Sequence, residues 1–431
     1  MRRKLFTLIA LLTFASFILA ACGGTATQTP AAPTAASGAA APTAAAAMAP
    51  TAAAAMAPTA AAAMAPTAAA AMAPTAAAAM APTAAGAAPA AGGALAVGIV
   101  LPTKDETRWT QDEARFKEAL DKAGYQVEIL FSEKDSAKEK ANVESLITKG
   151  IKVLILTPVD GTAAASTAAA ARAAGVKVIS YDRLIRDTDA VDYYVTFDSL
   201  AVGAQQAQYL VDKAGSAKGQ PLYLYAGAAS DNNAFIFFQG AWNVLQPKIA
   251  DGTFVIKNSS EAIALQSKME LTRDEQAKII AQVTTDWAPA TAKTLAESNL
   301  TTATAADKGN VFILAPNDDT ARAIGDTFAA DKDVKTFLIT GQDAAPASVQ
   351  YIIDGKQSMT VFKDVRTLVA DSISAAVALL QDKAPTAKGS YNNGKVDVPA
   401  IQSPVVTVDK ANVKAALFDS GYYKTSDYTG L

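Results

Sequence analysis

The sequence predicts an α/β protein with parallel sheets, divided into two lobes, over residues 94–431. Three observations lead there. From Ala94 onward, apolar runs of about five to eight residues alternate with longer amphipathic stretches. Most of the runs are continuous in Val, Ile and Leu, as strands covered on both faces require. The roughly 340 residues involved exceed one comfortable core, so two lobes are expected.

In chain order the expected strands are Leu95–Leu101, Gln126–Phe131, Val153–Thr157, Val176–Tyr181, Tyr194–Phe197, Leu222–Tyr225, Thr253–Lys257, Val311–Ala315, Thr336–Thr340 and Ser358–Phe362. Helices are expected between them, among them Asp112–Ala123, Lys138–Lys149, Thr162–Ala174 and Leu200–Lys213. Strand–helix alternation implies parallel strands joined by right-handed crossovers.

Ligands of such open sheets bind beyond the carboxyl ends of the strands. Those ends carry a consistent set: the loop from Pro102 to Arg108-Trp109, then Asp182-Arg183, Asp231-Asn232-Asn233, Asn317-Asp318, Gln342-Asp343 and Lys363-Asp364. With Trp109 and Trp287, they make the palette of a carbohydrate site. Sugar hydroxyls donate and accept at once, so carboxylates take their protons while Arg, Lys and Asn supply donors. The C–H faces of a sugar lie against aromatic rings. Each residue also has a plainer reading. Asp182-Arg183 fits half of a surface ion pair, the tryptophans fit a core, and Asn232-Asn233 and Asp318-Asp319 fit turns or helix caps. Their joint placement at successive strand ends favours the site.

Composition narrows the function. The 431 residues hold 38 Lys+Arg against 41 Asp+Glu, one Cys and no His. The commonest general acid/base and the commonest zinc ligand are therefore missing. A lone Cys22 excludes a disulfide framework. An acidic chain without a basic run is a poor nucleic-acid binder. No phosphate-cradling glycine loop follows the first strand. Binding without chemistry, and without a cofactor, is the expectation.

The first 21 residues read as a secretory leader, with Arg2-Arg3-Lys4 before an apolar run from Leu5 to Leu19. That run is too short for the ~20 residues of a membrane span. It ends in Leu19–Gly23, which resembles the lipobox of bacterial lipoproteins; the resemblance implies a lipidated Cys22 as the mature N-terminus. Residues 22–93 are low-complexity. An octapeptide of alanines followed by Met-Ala-Pro-Thr keeps Met48, Met56, Met64, Met72 and Met80 in register. Proline in every repeat breaks helix, and nothing larger than Met is available for a core. A flexible tether spanning roughly 45 Å is expected.

The folded part resembles the periplasmic sugar-binding proteins of ABC importers, in the branch of xylose-binding and multiple-aldose-binding proteins. The matching segments are Arg108-Trp109, Ile147–Gly150, Tyr181–Arg186, Asp192–Asp198, Ser230–Ala234, Gly341–Ala344, Thr360–Lys363 and Tyr391–Lys395. They run in the family's order from about Leu95 to about Asp409. The resemblance implies a type I periplasmic binding protein: two Rossmann-like lobes joined by a three-segment hinge and closing on one monosaccharide. Trp109 and Trp287 would face the two sides of the sugar ring. Arg108, Asp182 and Arg183 would be polar contacts from lobe one, and Asn233, Asn317 and Asp343 contacts from lobe two, with Lys363 near the hinge. Crossings near Ser199, Lys363 and Ile401 would make lobe one 94–199 plus 364–400 and lobe two 200–363 plus 401–431. The calcium loop of some galactose-binding relatives has no counterpart in Val211–Gly219, so no metal is expected.

The function so implied is a lipid-anchored, monomeric, extracytoplasmic receptor that hands an aldose to an ABC permease and its cytoplasmic ATPase. D-xylose is the first choice, with glucose and other aldoses close behind. A sensor presenting sugar to a membrane chemoreceptor or kinase remains open. A glycoside hydrolase using Asp182 and Asp343 is disfavoured, because cationic neighbours would keep both ionised. A repressor of the same architecture would need a helix-turn-helix where the leader and tether stand.

Overall fold

The computed structural model describes residues 96–123 and 126–431. The leader over 1–21, the Cys22 lipidation site and the tether over 22–93 lie outside the described residues.

The chain runs β1 (Val97–Leu101), α1 (Thr107–Ala123), β2 (Val127–Phe131), α2 (Ser136–Thr148), β3 (Val153–Leu156), α3 (Ala164–Ala173), β4 (Lys177–Tyr181) and β5 (Tyr193–Phe197). It continues with α4 (Ser199–Ala214), β6 (Gln220–Leu224), α5 (Asn232–Ala250), β7 (Phe254–Ile256), α6 (Ser260–Ala264), α7 (Arg273–Val283), α8 (Pro289–Thr302), β8 (Asn310–Leu314) and α9 (Asp318–Ala330). Last come β9 (Thr336–Ile339), α10 (Pro346–Asp354), β10 (Met359–Lys363), α11 (Val365–Leu380), β11 (Gly389–Asn392), β12 (Asp397–Ser403) and β13 (Val405–Asp409).

Two sheets organise these elements. The first has the order β11-β12-β5-β4-β3-β1-β2 and is parallel except for the β11–β12 hairpin. The second, β7-β6-β8-β9, is parallel throughout. β10 and β13 pair antiparallel, and a bridge from Gln342 to Val361 ties β10 to the chain leaving β9.

The continuous apolar runs follow from this layering. In the first sheet, Ile99, Leu101, Val153, Ile155 and Ile179 face Phe116 of α1 and Leu368 of α11. Val100, Leu154, Leu156 and Val178 face Val143 and Leu146 of α2 and the alanines of α3. The second sheet packs Leu222, Leu224, Phe312 and Leu314 on one face against α4, α5 and α7. Tyr223, Val311 and Ile313 cover α8 and α9 on the other. Each fully buried aliphatic contributes about 1.5–3 kcal/mol relative to exposure. Helices α4 and α5 cross at van der Waals distance because Gly203 and Gly240 face each other's backbone. A Cβ on Gly203 would lie 1.8 Å from the Phe237 carbonyl oxygen.

The structure departs from the sequence expectations in three places. Helix α1 starts at Thr107 rather than Asp112, which puts Arg108 and Trp109 in its first turn instead of a loop. The cap comes from far away: Asp319 accepts from the Thr107 backbone N–H at 3.0 Å and from its hydroxyl at 3.1 Å. Strands β11, β12 and β13 were not expected. β11 and β12 lie at one margin of the first sheet and β13 in the two-stranded ladder with β10; all three are exposed or alternating, so they carry no continuous apolar run. Finally, the crossing expected at Ile401 falls inside β12. Ile401, Gln402 and Ser403 still pair with β5, and the chain leaves this sheet only afterwards.

Candidate functional site

Loops at the carboxyl ends of the strands converge on one narrow cavity of about 30 Å³. Arg108, Trp109, Asp182, Arg183, Asn233, Trp287, Asn317, Asp343 and Lys363 all line it. Glu106, Asp231, Phe237 and Gln342 complete the wall.

Arg108 projects from the first turn of α1 and is gripped from behind. Asp112, one turn on, accepts from its Nε at 2.5 Å and Nη2 at 3.1 Å. That leaves Nη1 pointing forward, 3.0 Å from Asp182 Oδ2 and 3.7 Å from Asp343 Oδ1, without hydrogen-bond geometry to either. Lys363, the last residue of β10, sets its Nζ 2.7 Å from the same Asp343 oxygen. The cavity floor is thus two carboxylates shared among cations. Burial by itself would raise the Asp182 carboxyl; Arg108, Lys363 and Arg183 outweigh it and hold the group below the ordinary range. A carboxylate so held is an acceptor and a poor general acid.

Backbone strain is concentrated here. Asp182, Trp287 and Asp343 have φ of 59°, 56° and 96°. Asp tolerates the left-handed region better than most residues, whereas a bulky Trp there is a genuine outlier that the surroundings must enforce. The Asp182 carbonyl is held by three donors: Tyr194 Oη at 2.6 Å, Asn233 Nδ2 at 2.9 Å and Thr196 Oγ1 at 3.2 Å. Trp287 is held by shape. Its ring meets Phe237 edge-on at 6.3 Å and lies over Gly227. The Trp287 Nε1 is buried and without a partner, a donor facing no protein acceptor.

Trp109 is only 2 % exposed and has two guanidiniums against its ring, with the carbons of Arg108 and Arg183 at 5.1 and 5.0 Å from its ring centre. Arg183 pairs with Glu106 at 2.9 Å and with Asp231 at 2.9 Å. Burial against this Arg183 attraction pushes the Asp231 carboxyl up to about 6. Asn317 caps α9, accepting from the Thr320 hydroxyl at 2.6 Å, and its amide is fixed at the cavity wall by that bond. Of the Asn pair, Asn233 lines the cavity. Asn232 instead accepts from Arg186 Nη1 and Arg273 Nη1, each at 2.9 Å. Asp182-Arg183 is therefore no surface pair, and both tryptophans are at once buried and at the cavity.

Glu106 and Phe237 escaped the sequence reading. Phe237 had a helical signal, one turn beyond Asn233 on the same face of α5, whereas Glu106 closes the loop before α1 and had none. Asp231 and Gln342 stood at the strand ends but beside residues preferred as contacts. In a larger groove between α8 and α9, Lys293 pairs with Glu297, Lys308 pairs with Asp331, and Asp326 accepts from the Tyr351 hydroxyl. Among the described residues no cluster of acidic or thiol side chains is placed to hold a metal.

Residues 97–384 match the periplasmic binding protein domain. The chain is 36% identical over 340 residues to the multiple sugar-binding periplasmic receptor ChvE of Rhizobium radiobacter, covering 76% of this chain and 90% of that one. It is 79% identical to a carbohydrate transporter solute-binding protein from Chloroflexus aurantiacus solved with D-glucose. That match has a TM-score of 0.77 and covers 78% of this chain and 99% of the other. A solute-binding protein from Clostridium phytofermentans with bound β-D-glucose is 32% identical, with a TM-score of 0.68 over 77% of this chain and 99% of that one.

Proposed function

Because the chain belongs to the periplasmic binding protein family, in its type I sugar-binding branch, we propose that it captures an aldopyranose between its lobes and delivers it to an ABC importer. It is a binding protein and not an enzyme, working outside the cytoplasm as its relatives do. The sugar we place first is D-glucose, ahead of the D-xylose expected from the sequence. The 79%-identical solved relative is described in complex with D-glucose, and the 32%-identical one with β-D-glucose.

The observation that carries this reading is one small cavity holding two tryptophans and two carboxylates shared among Arg108 and Lys363. Such acceptors take hydroxyl protons. Arg108 Nη1, Trp287 Nε1 and the amide of Asn317 return donors to the sugar oxygens, while Asn233, which donates to the Asp182 carbonyl and carboxylate, holds that acceptor in place. Lobe one is taken as 94–199 with 364–403 and lobe two as 200–363 with 404–431. A sugar that touches both lobes only when they are shut favours the shut state, and a permease can then tell loaded from empty protein by shape. Cys22 would hold the protein at the membrane through its lipid, with the octapeptide tether as spacer and the folded part a monomer.

Tryptophan fluorescence tests the site. Monosaccharide binding should change the emission of Trp109 and Trp287, and Trp109→Ala should abolish most of that change. An emission that responds only to oligosaccharides would refute the pocket. A sensing role is the second reading, favoured by the description of the 36%-identical relative as a receptor. Deleting the gene abolishes uptake under the first reading and only a response under the second.

A further inference from the structure

Glu106 closes the loop between β1 and α1, is only 7 % exposed, and lines the cavity. One of its oxygens does two things. Oε2 accepts from Trp109 Nε1 at 2.9 Å and from Arg183 Nη2 at 2.9 Å. The aromatic platform and a principal cation of the site therefore hang on one atom. The other oxygen, Oε1, accepts nothing from any described residue, and it is not among the fully enclosed unpartnered atoms. In a residue this buried, at the cavity wall, the accessible direction left to it is the cavity. A carboxylate oxygen with an open lone pair in such a space is unstable unless something donates to it.

We infer that Glu106 is a specificity-determining residue: Oε2 fixes the Trp109 ring and Arg183, while Oε1 accepts one hydroxyl of the bound sugar. This rests on the monosaccharide reading above and extends it to a residue outside the expected contacts. The chemistry is a single charge-assisted O–H···O bond in a low-dielectric site. Its consequence is selectivity, because a sugar lacking that hydroxyl leaves the carboxylate unpaired and is rejected more strongly than lost contact area alone would imply. A residue that merely held Trp109 would affect all sugars alike. One that also accepts a hydroxyl couples to one position on the ring.

The experiment is a thermodynamic cycle on the full chain. D-Glucose and its single-position deoxy analogues are titrated against wild type, Glu106→Ala and Glu106→Gln, the last keeping size and shape should the alanine variant fold poorly. The expected result is that one analogue binds wild type at least tenfold more weakly than D-glucose, yet binds Glu106→Ala about as well as D-glucose does. Every other analogue should lose affinity in parallel in both proteins. If each variant weakens all analogues by one common factor, or weakens none, Oε1 makes no ligand contact and the assignment fails while the sugar reading stands. Wild type that binds no monosaccharide removes the sugar reading and this assignment together.

Discussion

The Trp287 indole occupies the space that the missing side chain of Gly227 leaves. A Cβ on Gly227 would lie 2.0 Å from Trp287 Cζ2 and 2.2 Å from Cη2. The glycine is needed for close approach: its backbone is outside the left-handed region, so alanine is conformationally acceptable there. Gly227→Ala should thus fold normally but push the ring out of place. We expect titration calorimetry to show at least tenfold weaker sugar binding with a melting temperature within a few degrees of wild type. Unchanged affinity would mean that the ring is not a sugar platform.

Lys363 and Asp343 form the shortest ion pair across the cavity floor, at 2.7 Å. Removing the lysine leaves Asp343 with only Arg108, at 3.7 Å. Truncating one partner of a buried charge pair costs about 2–5 kcal/mol. Lys363→Met should weaken binding thirtyfold or more, chiefly through faster release, as stopped-flow fluorescence would report. A variant with native release rates would place Lys363 outside the binding energetics.

Asn232 holds two arginines by one oxygen, Arg186 from the loop after β4 and Arg273 from the start of α7. The two elements belong to different sheets, so the bond pair joins what the proposed closure brings together. Asn232→Ala removes the oxygen that both guanidiniums share and leaves Asp187, 3.7 Å from Arg186, to offset their mutual repulsion. Affinity should fall about tenfold although the residue does not line the cavity, and added salt should restore part of it by screening the repulsion. Salt-independent affinity in the variant would show that the arginines do not oppose closure.

Asp318 gives a pH dependence of known sign. It opens α9 fully buried, accepting from Gln357 Nε2 at 2.7 Å, the Ala345 N–H at 2.8 Å and Thr360 Oγ1 at 3.0 Å. Burial, then the Asp343 carboxylate, push its carboxyl up to about 8 despite those bonds. The folded protein therefore holds a proton that the unfolded chain releases near pH 4. Its stabilising contribution is complete below about pH 4 and is lost as pH rises through about 8. Asp231 at about 6 and Glu139 at about 7 act in the same direction lower down, so the comparison is cleanest above pH 7. Between pH 7 and 9 the melting temperature of wild type should fall more steeply than that of Asp318→Asn. Parallel curves would mean that Asp318 is already ionised in the folded protein.

The sequence was legible where one residue type answers one local demand. Runs such as Val153–Leu156 and Val311–Leu314 have to be covered on both faces, and the strand ends followed from them. With the strand ends came Asp182, Asn317, Asp343 and Lys363. What stayed hidden depends on distant partners. Helix α1 starts at Thr107 because Asp319, 212 residues away, caps it, and no local pattern encodes that. Strands β11 and β12 sit at a sheet margin where exposure removes the apolar run. Glu106 is an ordinary loop acid until Arg183 and Trp109 fold onto it. The strain at Trp287 cannot be read from the residue itself, since a bulky side chain argues against positive φ.

The central claim is that this cavity holds one aldopyranose, and isothermal titration with D-glucose, D-xylose, D-galactose, L-arabinose and D-ribose tests it most directly. The account predicts that D-glucose binds at about micromolar or tighter, which is roughly −8 kcal/mol or better, with D-xylose the nearest competitor. Absence of heat with every monosaccharide, alongside binding of an oligosaccharide, would contradict it.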